Sequence, residues 1–380
     1  ASTSAPALRF PGFTEPWQKC RLGDYIRIFS GESPNRINSE YDKIPYYKVE
    51  QLNWCEKYLG ETPYLSQRGK NILPEGCVVF SKRGAAILTN KVRMNLFPIN
   101  IDTNLMGIKA DNSFILDQYL FYFILRARLN RIADTSTIPQ INNIHINPIT
   151  IYVPSLAEQE IITKFLALLD ERIATQRRLI EDLEKLMSSI VDRIFSDVDG
   201  EVVKFRDILE VSTQRNDGKA DYRILSASQE FGMIERDSLD IDIKAEAKSV
   251  KMYKRVHPGD YVLHLRSFQG GLAFAEVEGI CSPAYTILRP NKRLEYGYLK
   301  EYFNSSKFIK SLVLVTYGIR DGRSINVEEF LDMNISIHHK NKQAEIVKSL
   351  SMLSDKLNVE ASILNRYEQQ RAYLLSNLFI

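Results

Sequence analysis

This chain has little of what enzymes, metal proteins and secreted scaffolds need. Its four cysteines, Cys20, Cys55, Cys77 and Cys281, are scattered and form no C-x-x-C pair. That pattern excludes a disulfide or zinc framework and fits a reducing compartment. Of five histidines only His338 and His339 are adjacent, without a cysteine nearby, so no metal site is expected. No apolar run approaches the eighteen or so residues of a membrane span. The opening ASTSAPALRFPGF lacks the apolar core of a secretory signal, so the expected location is cytoplasmic, with no membrane partner.

Catalytic signatures are missing as well. There is no G-x-x-x-x-G-K-[ST] phosphate loop, no H-E-x-x-H and no G-x-S-x-G. A methyltransferase would need a Gly-rich turn and an N-P-P-aromatic element, and Asn147-Pro148-Ile149 lacks the second proline and the aromatic. Asp242 and Lys244 have the D-x-K spacing of many nucleases, a pair that charged segments produce by chance. Net charge is +3. Residues 17–153 hold 17 Lys/Arg against 12 Asp/Glu, and residues 201–337 hold 20 of each. Neither stretch is polybasic, so any DNA contact has to come from charge concentrated on one face or from partner subunits.

What is present begins with a long helix. Leu156 to Ser196 contains neither glycine nor proline. Ile162, Phe165, Leu169, Ile173, Gln176, Ile180, Leu183, Met187, Ile190 and Ile194 recur at three- and four-residue steps, the seam of a coiled coil. Ser155, with Glu158 three residues on, has the form of a capping box. Such a helix is about 60 Å long and needs a partner for its seam.

The C-terminus supplies one. A shift of 184 positions carries Ile162, Leu169, Ile180 and Leu183 onto Ile346, Leu353, Leu364 and Tyr367, and Gln176 onto Glu360. The same shift pairs Pro74 with Pro258, Ile141-Asn142 with Ile325-Asn326, Gln159 with Gln343 and Phe195 with Phe379. The chain is therefore a duplication, each copy a globular unit followed by a long helix. The expected fold class is α+β, with two pseudo-symmetric globular units separated by two long antiparallel coiled-coil helices. The expected segments are a loosely packed lead-in (1–16), a first unit (17–153), a central spacer helix (154–197), a second unit (198–337) and a C-terminal spacer helix (338–380). Gln176 and Glu360 are candidates for a polar layer that sets the register.

Within each unit a Pro/Gly turn leads into a short strand and a basic loop. These are LPEGCVVFSKRGAAILTN (73–90) and HPGDYVLHLRSFQGGLAFAEV (257–277). A helix is expected next, FILDQYLFYFILRARLNRIA or EYGYLKEYFNSSKFIKSLV. A polar loop follows it, TSTIPQINN or TYGIRDGRSINVEEF, and then a strand that feeds the long helix.

Several stretches resemble the specificity subunits of Type I restriction-modification systems. They are LRFPGFTEPW with LGDY, the passage IPQINNIHINPITIYVPSLAEQEIITKFLALLDERI, and GIRDGRSINVEEFLDMNISI; PSLAEQE leading into a helix that ends RIFS is the most specific of them. The second copy departs from it, since IHHKNKQAEIV lacks the proline, the leucine and the capping-box glutamate. The resemblance implies a non-catalytic subunit whose two units are target recognition domains for an asymmetric bipartite double-stranded DNA sequence. It implies two methyltransferase subunits, which bind S-adenosylmethionine and methylate adenine, and two ATP-dependent, magnesium-requiring restriction/translocase subunits. This chain itself would bind no cofactor. A coiled-coil scaffold that binds no DNA, or a nuclease acting through the second unit, are the competing readings.

On that basis the candidate DNA contacts lie in four loops. Lys82 and Arg83, and Arg266 and Gln269, sit beside glycines that let a backbone approach DNA. Thr137, Gln140 and Asn142, and Tyr317, Arg320, Arg323, Ser324 and Asn326, carry groups that donate to or accept from base edges; helix capping and turn formation are their alternative roles. Leu166, Leu168, Leu179, Leu186 and Val191 widen the apolar strip of the long helix. Burial beneath the chain's own units is one use of that strip. Docking of the methyltransferase subunits is the other, with Leu168, Leu179 and Leu186 as the contact residues.

Overall fold

A computed structural model describes residues 5–33, 43–67, 71–134, 138–196, 198–218, 222–228, 232–236, 250–264, 267, 271–317 and 324–380. The fold is α+β. The chain divides into two compact units, Ala1–Arg178 with Ser362–Ile380, and Leu179–Ala361. The division runs through the long helices Leu156–Ile194 and Lys340–Asn377, so each unit takes part of both.

The first unit is built on a four-stranded antiparallel sheet in the order Ile26–Ser30, Leu105–Ala110, Val78–Ser81, Val92–Met94. Successive side chains of a strand point to opposite faces, and here both faces are covered. Val78, Phe80, Met106 and Ile108 pack with Tyr119, Leu120 and Phe123 of the helix Asp117–Ala127. Phe29, Val79 and Leu105 face Tyr47, Leu52, Leu73 and Ile101. Gly107 lies on the second face under Leu73, where a Cβ would come within 2.2 Å of a leucine methyl. The second unit repeats this plan with Leu209–Ser212, Thr286–Pro290, Tyr261–Leu263 and Ala273–Phe274. Its two faces again belong to separate cores, one around Tyr261 and Leu288, the other around Val262 and Ile287.

In both units the first strand pairs antiparallel with the strand that enters a long helix. Gln18–Arg21 pairs with Thr150–Val153, and Gly200–Lys204 with Asn334–His338. A buried glutamine then locks each junction. Gln159 accepts from the Leu116 amide (2.8 Å) and donates to the Phe114 (2.9 Å) and Pro154 (3.0 Å) carbonyls. Gln343 accepts from the Glu295 amide (2.7 Å) and donates to the Arg293 (3.1 Å) and His338 (2.8 Å) carbonyls. The repeat is thus kept in hydrogen bonds as well as in residue pattern.

Several expectations are corrected. Ser155 Oγ accepts from the Glu158 amide (3.3 Å) as a cap should. The Glu158 carboxylate, however, takes the Arg9 guanidinium at 2.8 and 2.9 Å and is almost fully buried. A buried carboxylate needs a counter-charge, so the lead-in is not loose around Arg9. The Leu8 amide donates to the Asn377 carbonyl (2.9 Å), and the Phe10 ring meets Phe165 edge-on at 5.6 Å. Phe165 therefore leaves the seam for Phe10 and stays partly exposed. The helix expected over 295–313 is broken into Lys300–Phe303 and Ser306–Ser311. Ser305 Oγ accepts from the Phe308 amide (3.2 Å) and starts a new helix at the break, because short polar side chains compete for backbone groups.

The widened strip splits. Leu166 and Val191 are buried in the first and second cores respectively, while Leu168, Leu179 and Leu186 are exposed. Of the seam, Ile162, Leu169 and Ile173 join Leu374, Leu375, Leu378 and Phe379 in the first core. Met187 joins Ile346 and Leu350 in the second. In the first unit the helices run antiparallel, since Asp170 pairs with Arg371 (2.6 Å) and Arg177 with Glu368. Glu360 is buried and ion-paired with Lys356 in its own unit.

Removing the glutamine clamp leaves an amide and two carbonyls without a partner, which costs roughly 2–4 kcal/mol. Trp17 and Trp54 are the only tryptophans, and both lie in the first unit. Gln159→Ala is expected to lower the denaturation midpoint followed by tryptophan fluorescence. An unchanged midpoint would contradict the clamp.

Candidate nucleic-acid interface

Two loops that are far apart in sequence meet in the first unit. The Lys82 amide donates to the Asn104 carbonyl (2.8 Å), and the Lys82 carbonyl accepts from the Ile141 amide (2.8 Å). The Gly84 amide donates to the Pro139 carbonyl (2.9 Å), and Arg83 bridges Gln140 in antiparallel fashion. Gly84 has φ +81°, which a glycine adopts without strain. Gln140 also exchanges both backbone hydrogen bonds with Asp134, at 2.9 and 3.1 Å. Lys82, Arg83, Gln140 and Asn142 therefore share one hydrogen-bonded platform.

Their exposure differs. Arg83 and Asn142 are exposed, whereas Lys82 and Gln140 are half-buried. Burial lowers the pKa of Lys82, and the charge of Asp102 offsets part of that effect. Asn142 stands at the N-cap position of the short helix Asn143–Ile146, where its backbone amide donates to His145 Nδ1 (3.1 Å) and its own side chain makes no capping bond. Gln140 Nε2 reaches Asn142 Oδ1 at 3.5 Å, a marginal contact.

In the second unit Thr316–Tyr317 and Ser324–Ile325 form a hairpin. Asn326, at its base, accepts from the Glu328 (3.1 Å) and Glu329 (3.3 Å) amides and donates through Nδ2 to the Glu329 carboxylate (2.9 Å). Tyr317 donates its hydroxyl to the same carboxylate (2.8 Å), which raises the tyrosine pKa. Asn142 and Asn326, matched by the repeat, both stand at the start of the short helix beside their loops, but only Asn326 caps it with its side chain. Ser324 is exposed. Thr137, Arg266, Gln269, Arg320 and Arg323 lie outside the described residues, as does the Asp242/Lys244 pair.

Sequence reasoning treated the Lys82–Arg83 and Gln140–Asn142 loops as separate candidates, because a bridge across 57 positions leaves no local mark. It also missed Glu329, although Asn326-x-x-Glu329 has the spacing of a helix cap. Leu168, Leu179 and Leu186 are 54%, 41% and 49% exposed, so each has surface available to another chain. Among the described residues no helix is long and apolar enough to cross a membrane.

Comparison with known proteins agrees with this architecture. The family model described as Type I restriction modification DNA specificity domain matches residues 14–185. The chain is similar to the Type I restriction enzyme MjaVIII specificity subunit of Methanocaldococcus jannaschii, with 24% identity over 232 residues, 54% of this chain and 51% of the relative. It spans about half the length of the curated relatives it matches. Among solved structures it is similar to the Type I restriction-modification S subunit from M. genitalium, at 14% identity and a TM-score of 0.58, covering 99% of both chains. A chain solved in a study of complex assembly and conformational transition of the type I R-M system gives the same TM-score at 18% identity, covering 95% of this chain and 97% of that one. At these identities the structural likeness establishes the fold.

Asn326→Ala removes a helix cap and should cost about 1 kcal/mol of stability, whereas Asn326→Ser keeps the capping oxygen. Thermal unfolding of the two variants checks this. A serine variant as unstable as the alanine one would show that the cap is not what this asparagine supplies.

Proposed function

We propose that this chain, which belongs with the specificity subunits of Type I restriction-modification systems, reads an asymmetric bipartite double-stranded DNA target, one half with each unit. The observation that carries this reading is that the family match over residues 14–185 encloses the whole Lys82–Arg83/Gln140–Asn142 platform. An exposed arginine held on a fixed backbone is suited to donate in a forked pair to a guanine edge, and amide side chains beside it suit adenine. Duplication with divergence of the loops supports two half-sites of different sequence. Chemistry falls to partner subunits. Methyltransferase subunits bind S-adenosylmethionine and methylate adenine, and restriction/translocase subunits use ATP and magnesium. The chain itself holds no cofactor and directs their action to the sites it reads. The exposed leucines at 168, 179 and 186 are the proposed contacts for the methyltransferase subunits.

The test is duplex binding by the chain assembled with its methyltransferase partner, measured over a range of salt against a scrambled duplex. Arg83→Ala is expected to cost about 1–3 kcal/mol of affinity and to relax only the first unit's half-site. Uniform weakening across all sequences would make Arg83 a phosphate contact, and no change would remove it from the interface. Replacing Leu168, Leu179 and Leu186 together with glutamate places charge where apolar contact is proposed and should abolish co-purification of the methyltransferase subunit. Undiminished assembly of this variant would overturn the docking assignment.

A further inference from the structure

The first unit contains a cavity of about 350 Å³ where its globular part meets the two long helices. That volume is at the lower end of the range for small-molecule sites. Five cationic side chains line it, Lys57, Arg126, Arg128, Arg177 and Arg371. Three carboxylates are present, and Arg177 and Arg371 use them. Arg177 binds both Glu56 and Glu368, and Arg371 binds Asp170 (2.6 Å), which also accepts from the Tyr122 hydroxyl (2.7 Å).

Of the other three cations, Lys57 and Arg128 have no carboxylate partner among the described residues. Lys57 Nζ donates to the neutral Tyr122 hydroxyl (2.9 Å) and lies over the Tyr122 and Phe121 rings at 4.5 and 5.0 Å. Arg126 donates to the Ile380 backbone oxygen (2.9 Å). Arg128, which is exposed, enters no ion pair among the described residues. Burial pushes the Lys57 pKa down to about 8, with Asp170 opposing the shift and Arg371 adding to it, and burial lowers Arg126 also. A desolvated lysine kept without a counter-ion is costly unless something else neutralises it.

The backbone points to the same place. Among the described residues only Asn90 (φ 48°) and Arg128 (φ 50°) are non-glycines at positive φ, and both line this cavity. Asparagine tolerates that region, and arginine does so less readily. Strain of this kind persists where the surroundings enforce it, and it concentrates at ligand sites. Here it holds Arg128 at the end of the helix Asp117–Ala127, on the rim of the cavity.

We propose that this cavity binds a phosphate group, held by Lys57 and Arg128. Guanidinium forks match phosphate oxygens geometrically, and the lysine adds a point charge. The group belongs either to a free phosphate ester or to a DNA backbone, and the two sources can be told apart.

Calorimetric titration of the full chain with inorganic phosphate and with AMP is expected to show saturable binding at one site. Arg128→Gly and Lys57→Met should each weaken it about tenfold, the loss expected for one charge-assisted contact. Glycine takes up φ 50° without strain, so Arg128→Gly should melt no lower than the parent. Loss of binding without loss of stability separates ligation from a packing role. No saturable binding by the parent chain, or unchanged binding in both variants, would overturn the proposal. The source is read by titrating duplex DNA into the same proteins. If AMP competes with duplex, and Arg128→Gly weakens all duplexes equally while flattening the salt dependence, the phosphate is the backbone's. If duplex affinity is unaffected, the ligand is a free ester. The Arg83 experiment stands apart from either result.

Discussion

Neither long helix can bury its own apolar stripe, and that constraint organises the chain. A solitary helix leaves its apolar face in water, and burying one Leu or Ile side chain is worth about 1.5–3 kcal/mol. Ile162, Leu166, Leu169 and Ile173 gain this only by packing with Leu374, Leu375, Leu378 and Phe379, some two hundred residues later, and with the first sheet's helix. Met187 and Val191 gain it with Ile346 and Leu350 in the second unit. In each unit the core that the long helices join is thus closed by chain segments from both repeats.

The polar interior follows from that closure. Where a long helix leaves its strand, backbone groups of the neighbouring turn are shut off from water, and buried backbone groups must find partners. Gln159 and Gln343 supply them through equivalent bonds. The first unit adds the Arg9–Glu158 pair, which ties the lead-in to the helix start. At the position equivalent to Glu158 the second repeat has Lys342, which pairs with Glu345 on its own helix. The two copies therefore keep the glutamine and diverge beside it, as expected when hydrogen bonding of buried groups is obligatory and surface ion pairing is worth little.

The candidate interface rests on the same rigid frame. Arg83 is held by a bridge to Gln140 and by the amides of its neighbours Lys82 and Gly84, which donate to Asn104 and Pro139, so its backbone is fixed even though its side chain is exposed. Asn142 and Asn326 carry polar groups suited to base edges, and in the structure both stand at the N-cap of a short helix, Asn326 capping it with its side chain. At Asn326 the amide is already bonded to Glu329, which makes it a positioning group for Tyr317 and the hairpin. Loop composition marked these regions as candidates, but which members face outward was set by short helices too small to announce themselves by periodicity.

The sequence by itself determined the duplication, the two long helices and the missing catalytic motifs. These depend on residue type at fixed spacing, and a gap-free heptad pattern without glycine or proline has few alternatives to a helix. Its resemblance to a known family was legible for the same reason, in contiguous stretches of residues. Tertiary structure alone decided which leucines of the widened strip are buried, Leu166 and Val191, and which remain exposed, Leu168, Leu179 and Leu186. It also decided that Arg9 neutralises Glu158, that Arg83 meets Gln140, and that Lys57 and Arg128 line a cavity beside Asp170. Each of these depends on contacts between residues distant along the chain, and the position of one partner says nothing about the other until the cores have closed around both.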